Sequence, residues 1–421
     1  MSKDQSKVET KRLVERFKKY VKIHSSSKDN VEDRFPSTPE QLKIAKILAE
    51  DLKNMGLGDV KMDEFGYVFA TLPGNLPDNS KAPVVGLLAH YDTYPGAPGE
   101  NVKPIEHSNY NGEDIVLPGD KDQIIRVKDN EDLKKYVGDT IITSDGTTLL
   151  GADDKAGVAE ILEAVEILKT SSRPRATIRI GFTPDEEVGN GTAHFDLKTF
   201  GADFAYTADG SSAEEVEDET FCADSAIVKI TGRDVHPGYA KGKMVNALRV
   251  LSRYVDLIPE GRCAEFTEKR EGYVHPISVK GDVSEATVTF IVRDFTVDGL
   301  HEQENFLKHT AQMLMREYVN SKIEVEIKES YRNMKYDLKK NPKVVEMAMH
   351  AVEKVGLNAK LTSIRGGTDG SRLCAMGLLT PNLCGGGKNF HSKQEWIPVS
   401  VMEKCSQILV ELVHLWGEQT K

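Results

Sequence analysis

The sequence predicts an α/β layer fold interrupted by an α+β insertion, and three observations carry the prediction. Residues 82–89 (APVVGLLA) form a short, continuously apolar run, which suits a strand buried on both faces of a largely parallel sheet. The elements around that run read helix, strand, strand, helix, strand, the alternation of a layered α/β domain. After about Phe221 the order becomes strand, helix, strand, strand, helix, strand, which is the ferredoxin-like signature.

Taken in order, residues 7–21 place Val8, Leu13, Val14, Phe17 and Val21 near helical spacing. A loop rich in Ser, Asp and Pro follows at 25–39. Residues 40–55 read as a second amphipathic helix closed by Gly56. Residues 61–72 alternate like strands, 156–170 form a strongly periodic helix, and 176–182 (ATIRIGF) another strand. In the insertion, strands are expected at 225–231, 274–280, 285–295 and 323–327, with helices at 244–257 and 299–318. The middle pair turns at Gly281-Asp282. Helices return at 343–355 and 401–415. The expected organisation is a first domain in two parts, 1–221 and 333–421, with the inserted domain at 222–332.

A chain of 421 residues is too long for one ordinary core, so two domains are expected. With 39% hydrophobic and 29% charged residues it holds enough apolar material for a large core. The net charge of −11 opposes nucleic-acid binding, since phosphates would be repelled. No apolar run approaches the roughly 20 residues that span a bilayer, and the first residues lack the apolar core of a secretory signal. The five cysteines are scattered and form no CxxC pair, as expected of free thiols in a reducing cytoplasm.

Five segments at the ends of apolar runs carry candidate chemistry, where an open α/β sheet places its ligand crevice. His90 and Asp92 in AHYDT are two apart, so on an extended chain they share a face. An imidazole bound to a metal usually gives its second N–H to an acceptor, although a surface turn would also account for the pair. GADDKAG (151–157) opens a helix, and its acids suit either a cation or the helix N-terminus. TPDEEVG (183–189) sets three consecutive carboxylates beside a strand, which repel one another unless cations are near or water surrounds them. YTADG (206–210) and GGGKNFH (385–391) complete the set, with RGGTDG (365–370) a little earlier. Together they supply two imidazoles and several carboxylates, donors that suit zinc or another first-row divalent ion. Two cations sharing one carboxylate would activate a water between them, and a further carboxylate would then serve as base.

These segments, with VHPGYAKGKMVNA (235–247) and GGKNFHSKQE (386–395), closely resemble the peptidase T family. That family comprises tripeptide aminopeptidases of the wider di-zinc clan of aminoacylases, desuccinylases and glutamate carboxypeptidases. The resemblance spans nearly the whole chain in order. It implies a zinc-peptidase-like catalytic domain, with a mixed central sheet flanked by helices, and an inserted ferredoxin-like lid or dimerisation domain. It implies two Zn2+ per subunit, with Co2+ or Mn2+ as substitutes. His90 and Asp209 then bind one metal, Glu187 and His391 the other, and Asp153 bridges both. Asp92 orients His90, and Glu186 is the general base. Many clan members acting on acylated or C-terminal substrates carry Glu in place of Asp209, so Asp favours the aminopeptidase-like members.

The resemblance also implies that His236 helps bind the substrate carbonyl or its oxyanion, in a domain that closes over the site. A surface-turn histidine is the plain alternative. Asn246, Arg293 and Arg365 are expected to bind substrate; either arginine would suit a bidentate contact with a substrate carboxylate, or else a structural ion pair. The expected substrates are small peptides, acted on by a cytoplasmic monomer or homodimer that binds neither nucleic acid nor membrane. The competing readings are a deacylase or carboxypeptidase of the same clan and a non-catalytic binding protein on this fold.

Overall fold

The computed structural model describes residues 7–77 and 81–419. The chain divides into two compact units, one comprising Met1–Asp218, Asp337–Thr362 and Thr368–Lys421 and the other Glu219–Tyr336 and Ser363–Gly367.

The first unit is built on an eight-stranded sheet. At its centre lie Val84–His90 (β1), the helix Ala152–Thr170 (α1), Thr177–Thr183 (β2) and Phe204–Thr207 (β3). Strand β1 runs parallel to both neighbours, with Val85 opposite Ile178 on one side and Phe204 on the other. Val68–Leu72 and Gly58–Met62 extend the sheet antiparallel beyond β2, so the sheet is mixed. Beyond β3 come Asn382–Leu383, Glu215–Glu219 and Lys360–Ser363.

Burial explains the apolar run. Successive side chains of a strand point to opposite faces. Val85, Leu87 and Ala89 enter a cluster with Ile161 and Leu162 of α1 and with Leu409 of the final helix, Val399–Glu418 (α2). Leu88 enters the opposite cluster with Phe69, Phe200 and Leu373. Both faces are covered, so no polar alternation develops. A Cβ on Gly86 would lie 2.6 Å from the Ala205 Cβ and 2.8 Å from the Phe200 ring, which only glycine avoids.

The register carries the chemistry. His90 pairs with Thr183, so the parallel strands β1 and β2 deliver His90 and the TPDEEVG turn side by side. Helix α1 begins at Ala152, four residues before its hydrophobic periodicity. Asp153 and Asp154 in that first turn have non-helical dihedrals, and the peptide between them is cis.

A small sheet of Ile105–His107, Ile141–Thr143 and Trp396–Pro398 lies outside what the sequence indicated. Three-residue strands are too short to show a period. No helix among the described residues is long and apolar enough to cross a membrane.

In the second unit Tyr273–Gly281, Glu285–Asp294, Cys222–Thr231 and Lys322–Tyr331 form one antiparallel sheet in that spatial order. Val228, Ile230, Val288 and Phe290 pack against Val250 and Tyr254 of the helix Ala247–Asp256 and against Leu307 and Leu314 of Val297–Glu317. The unit starts three residues before and ends four after the expected 222–332, and takes in Ser363–Gly367 as well.

Candidate metal centre

His90 closes β1 in a buried position. Its Nδ1 lies 3.3 Å from Asp92 Oδ1 and 3.2 Å from the Asp92 carbonyl. The Asp92 carboxylate also accepts the backbone N–H groups of Glu186 (3.0 Å) and Glu187 (3.2 Å). One buried acid thus orients the imidazole and pins the turn after β2.

Asp153 stands between the two histidines. Its Oδ1 is 2.9 Å from His90 Nε2 and its Oδ2 is 3.4 Å from His391 Nε2. Glu187 Oε2 lies 2.8 Å from His391 Nε2, and Asp209 Oδ1 lies 3.9 Å from His90 Nε2. The Tyr94 ring stacks on His391 at 4.1 Å and 7°, which fixes the plane of that imidazole. His391 itself takes a left-handed backbone, at φ 62°, just after the glycine-rich loop.

The donor set fits divalent cations. Donor atoms of His90, Asp153 and Glu187 lie within 4.8 Å of one another, and two imidazoles with carboxylates are ligands that zinc accepts. Glu187 Oε1 is buried with no hydrogen-bond partner. Burial and the charge of Asp153 push Glu187 up to about 7. Burial, with Asp154 adding to it, raises Asp209 well above the usual carboxylate range. Burial opposes charge on His391, but Asp153 and Glu187 outweigh it and lift the imidazole to about 10. Such crowding of acids is what cations relieve.

Asp154 also has a donor atom within 4.8 Å of His90 and Asp209. Its oxygens are spent on backbone, however: Oδ2 accepts His90 N (3.2 Å) and Oδ1 accepts Gly157 N (3.2 Å). It therefore supports the centre from behind. Glu186 differs from its neighbour, since its carboxylate makes no hydrogen bond or ion pair among the described residues. Burial, then the charges of Asp369, Glu187 and Asp92, raise its pKa well above the usual range, against the opposing pull of His90.

The remaining predicted residues lie in the second unit. His236 is exposed, and its Nδ1 accepts the Gly238 N–H at 3.2 Å. Asn246 caps the helix Ala247–Asp256 by accepting Leu248 N (2.9 Å) and Arg249 N (3.4 Å). Arg293 donates to the carbonyls of Asp224 and Val292, both at 3.0 Å. Arg365 is held by a loop of its own unit. Its Nη1 donates to the carbonyls of Lys269 (2.8 Å) and Glu271 (2.9 Å) and its Nη2 to Thr267, while its plane lies over Phe221. Its fork engages this loop, and among the described residues it is in no ion pair.

Besides Asp154, three acids escaped the sequence reading. Asp185, at φ 53°, accepts from Ser37 N, Ser37 Oγ and Gln41 Nε2. Asp369 accepts the Thr183 hydroxyl at 2.7 Å. Glu395 binds the backbone at the start of α1. All three hold parts of the chain far away in sequence, which hides the pairing. The one available signal was that each sits inside a motif already marked.

The family model for peptidase family M20/M25/M40 matches residues 144–415. Peptidase T of Halothermothrix orenii is 45% identical over 407 residues, covering 96% of this chain and 99% of that protein. The chain belongs to the peptidase T family of the M20/M25/M40 peptidases. Peptidase T of Clostridium acetobutylicum is likewise 45% identical, over 97% of this chain and 99% of its own. Among solved structures, a tripeptidase from Staphylococcus aureus matches with a TM-score of 0.75 at 25% identity, covering 98% of this chain and all of that one. The aminopeptidase PepT of Bacillus cereus shares the fold at a TM-score of 0.75 and 24% identity, over 97% and 99%. As an M20/M25/M40 peptidase the chain is a metallopeptidase, a hydrolase of amide bonds.

Proposed function

We propose that the protein releases the N-terminal residue of tripeptides, using two divalent cations. His90, Asp153 and Asp209 would hold one, and His391, Asp153 and Glu187 the other. The observation that carries this reading is the position of Asp153, one oxygen 2.9 Å from His90 and the other 3.4 Å from His391. The tripeptide preference is drawn from the likeness to peptidase T relatives at 45% identity. Zinc is the proposed metal, with cobalt and manganese as substitutes, since the donors are nitrogen and oxygen.

When bound, such a pair of cations activates water near neutral pH and polarises a carbonyl. Asp92 takes the N–H of His90 Nδ1, which leaves Nε2 as the free lone pair for a cation. The Glu186 carboxylate, with no hydrogen bond or ion pair among the described residues, takes the proton of the attacking water and delivers it to the leaving amine. In neutral His236, Nδ1 accepts from Gly238, so the proton resides on Nε2. That N–H suits donation to the substrate carbonyl oxygen as charge develops on it. The proposed setting is the cytoplasm, in keeping with five free cysteines.

The test is a hydrolysis profile over di-, tri- and tetrapeptides with zinc, cobalt and manganese, alongside a metal count. Two cations per chain and fastest turnover of tripeptides are expected. Preferred turnover of N-acetyl-leucine would make the protein a deacylase. Two bound cations without turnover of any peptide would make it a binding protein.

A further inference from the structure

Glu395 is fully buried, four residues after His391. Its Oε2 accepts the backbone N–H groups of Leu150 (2.8 Å) and Gly151 (2.7 Å), and its Oε1 accepts that of Asp153 (3.0 Å). Three amides converge on one carboxylate because Gly151 adopts a left-handed backbone, φ 80° and ψ 31°, which turns successive N–H groups to one side. Such a concavity is an anion receptor, and the chain fills it with its own acid. The acid is itself held in place: Trp396, next along, exchanges both backbone hydrogen bonds with Lys388 and pairs with Thr143 in the small sheet.

The consequence lies in what is tied to what. The segment from Gly385 to Glu395 carries His391, and Leu150 to Asp153 carries the carboxylate between the two histidines. Besides the approach of His391 to Asp153, Glu395 links them through three charge-assisted bonds to backbone. An anion that accepts backbone amides fixes main-chain position and leaves the Asp153 side chain free to face both histidines. The carboxylate of Glu395 is occupied by these amides and belongs to neither cation's donor set.

We propose that Glu395 is a positioning residue for the two-cation centre, holding the Leu150–Asp153 backbone so that the Asp153 oxygens face the two cation positions. This rests on the reading of Asp153 as the bridging ligand.

Glu395→Gln keeps shape and volume but sets an NH2 group against at least one of the three N–H donors. The experiment compares it with wild type in zinc-buffered titrations, by the absorption spectrum of the cobalt-loaded protein, and by kcat and KM at saturating zinc. The metal-free proteins are compared by thermal unfolding. Expected is a folded variant that binds its second cation about 10–100-fold more weakly, as for other residues that orient ligands. Its cobalt spectrum is altered, and kcat falls while KM stays within about twofold of wild type. Glu395→Asp, which keeps the charge but is one methylene shorter, is expected between the two.

Wild-type affinity for both cations and an unchanged cobalt spectrum in Glu395→Gln would overturn the proposal, whatever the variant's stability. If that variant does not fold, Glu395→Asp decides, and normal cation binding there overturns it equally. Failure of both to fold would make Glu395 a requirement of the fold and not of the centre, which also overturns it. Wild-type protein that takes up fewer than two cations would instead remove the centre itself, a result separable from every variant.

Discussion

Glu186 and Glu187 are adjacent, yet the turn after β2 sends them to different tasks. Glu187 reaches His391 at 2.8 Å, whereas Glu186 forms no ion pair with an imidazole among the described residues. Glu186→Gln is therefore expected to keep both cations and lose about 10²–10⁴ in kcat, the worth of a general base. Metal analysis of the purified variant checks it, and loss of one cation would reverse the two roles. Asp153→Ala is expected to lower metal content more than His90→Ala or His391→Ala, because among the described acids only Asp153 lies within 4 Å of both imidazoles and would shield the cations from each other. Equal, single-metal losses in all three would refute a shared carboxylate. His236→Ala is expected to retain both metals and the fold while kcat falls about 10²–10³, the usual loss for one oxyanion donor. Near wild-type turnover would return His236 to an ordinary surface turn. His90 and Asp92 were legible as a pair because they share a two-residue period, whereas Glu186 and Glu187 took their expected roles from the resemblance to peptidase T, since their partners Asp92 and His391 lie far along the chain. Glu395 and Asp154 were not, because they hold backbone N–H groups, and a backbone amide leaves no residue type to recognise.

At the scale of elements, α1 sits so close to the end of β3 that one position admits no side chain. A Cβ on Gly157 would lie 2.1 Å from the Ala208 carbonyl and 2.5 Å from Asp154 Oδ1. In an exposed helix, Gly→Ala gains up to about 1 kcal/mol. Here the clash is with backbone, so Gly157→Ala is expected to destabilise by about 1–3 kcal/mol by denaturant unfolding; a stabilised variant would contradict the packing described. In the second unit, burial opposes charge on Glu219, but Arg270, Asn333 and Lys335 outweigh it and hold the carboxyl at about 2. Its folded pKa is depressed below the ordinary 4.5, so its contribution is present above that value and lost as pH falls through the folded one. The stability gap between wild type and Glu219→Gln should be full at pH 7 and close between about pH 5 and pH 2. A gap independent of pH would show that the ion pairs do not stabilise the fold. Long periodic elements such as α1 and α2 were readable in advance. The short strands at 105–107 and 141–143 were not, since pairing with distant chain creates them.

For the whole molecule, the described centre draws its donors from the ends of β1, α1, β2 and β3 and from the loop before α2, all within one unit. The parallel register that sets His90 beside Thr183 also sets the backbone N–H groups of the next turn against the Asp92 carboxylate, so the fold and the chemistry share one cause. In the proposed reaction this centre cleaves the first peptide bond of a substrate with a free N-terminus. Product analysis with zinc-loaded protein, Leu-Gly-Gly and N-acetyl-Leu-Gly-Gly tests it most directly. Leucine and Gly-Gly are expected from the first peptide, and no cleavage of the second. Release of Leu-Gly and glycine, or efficient hydrolysis of the acetylated peptide, would contradict it.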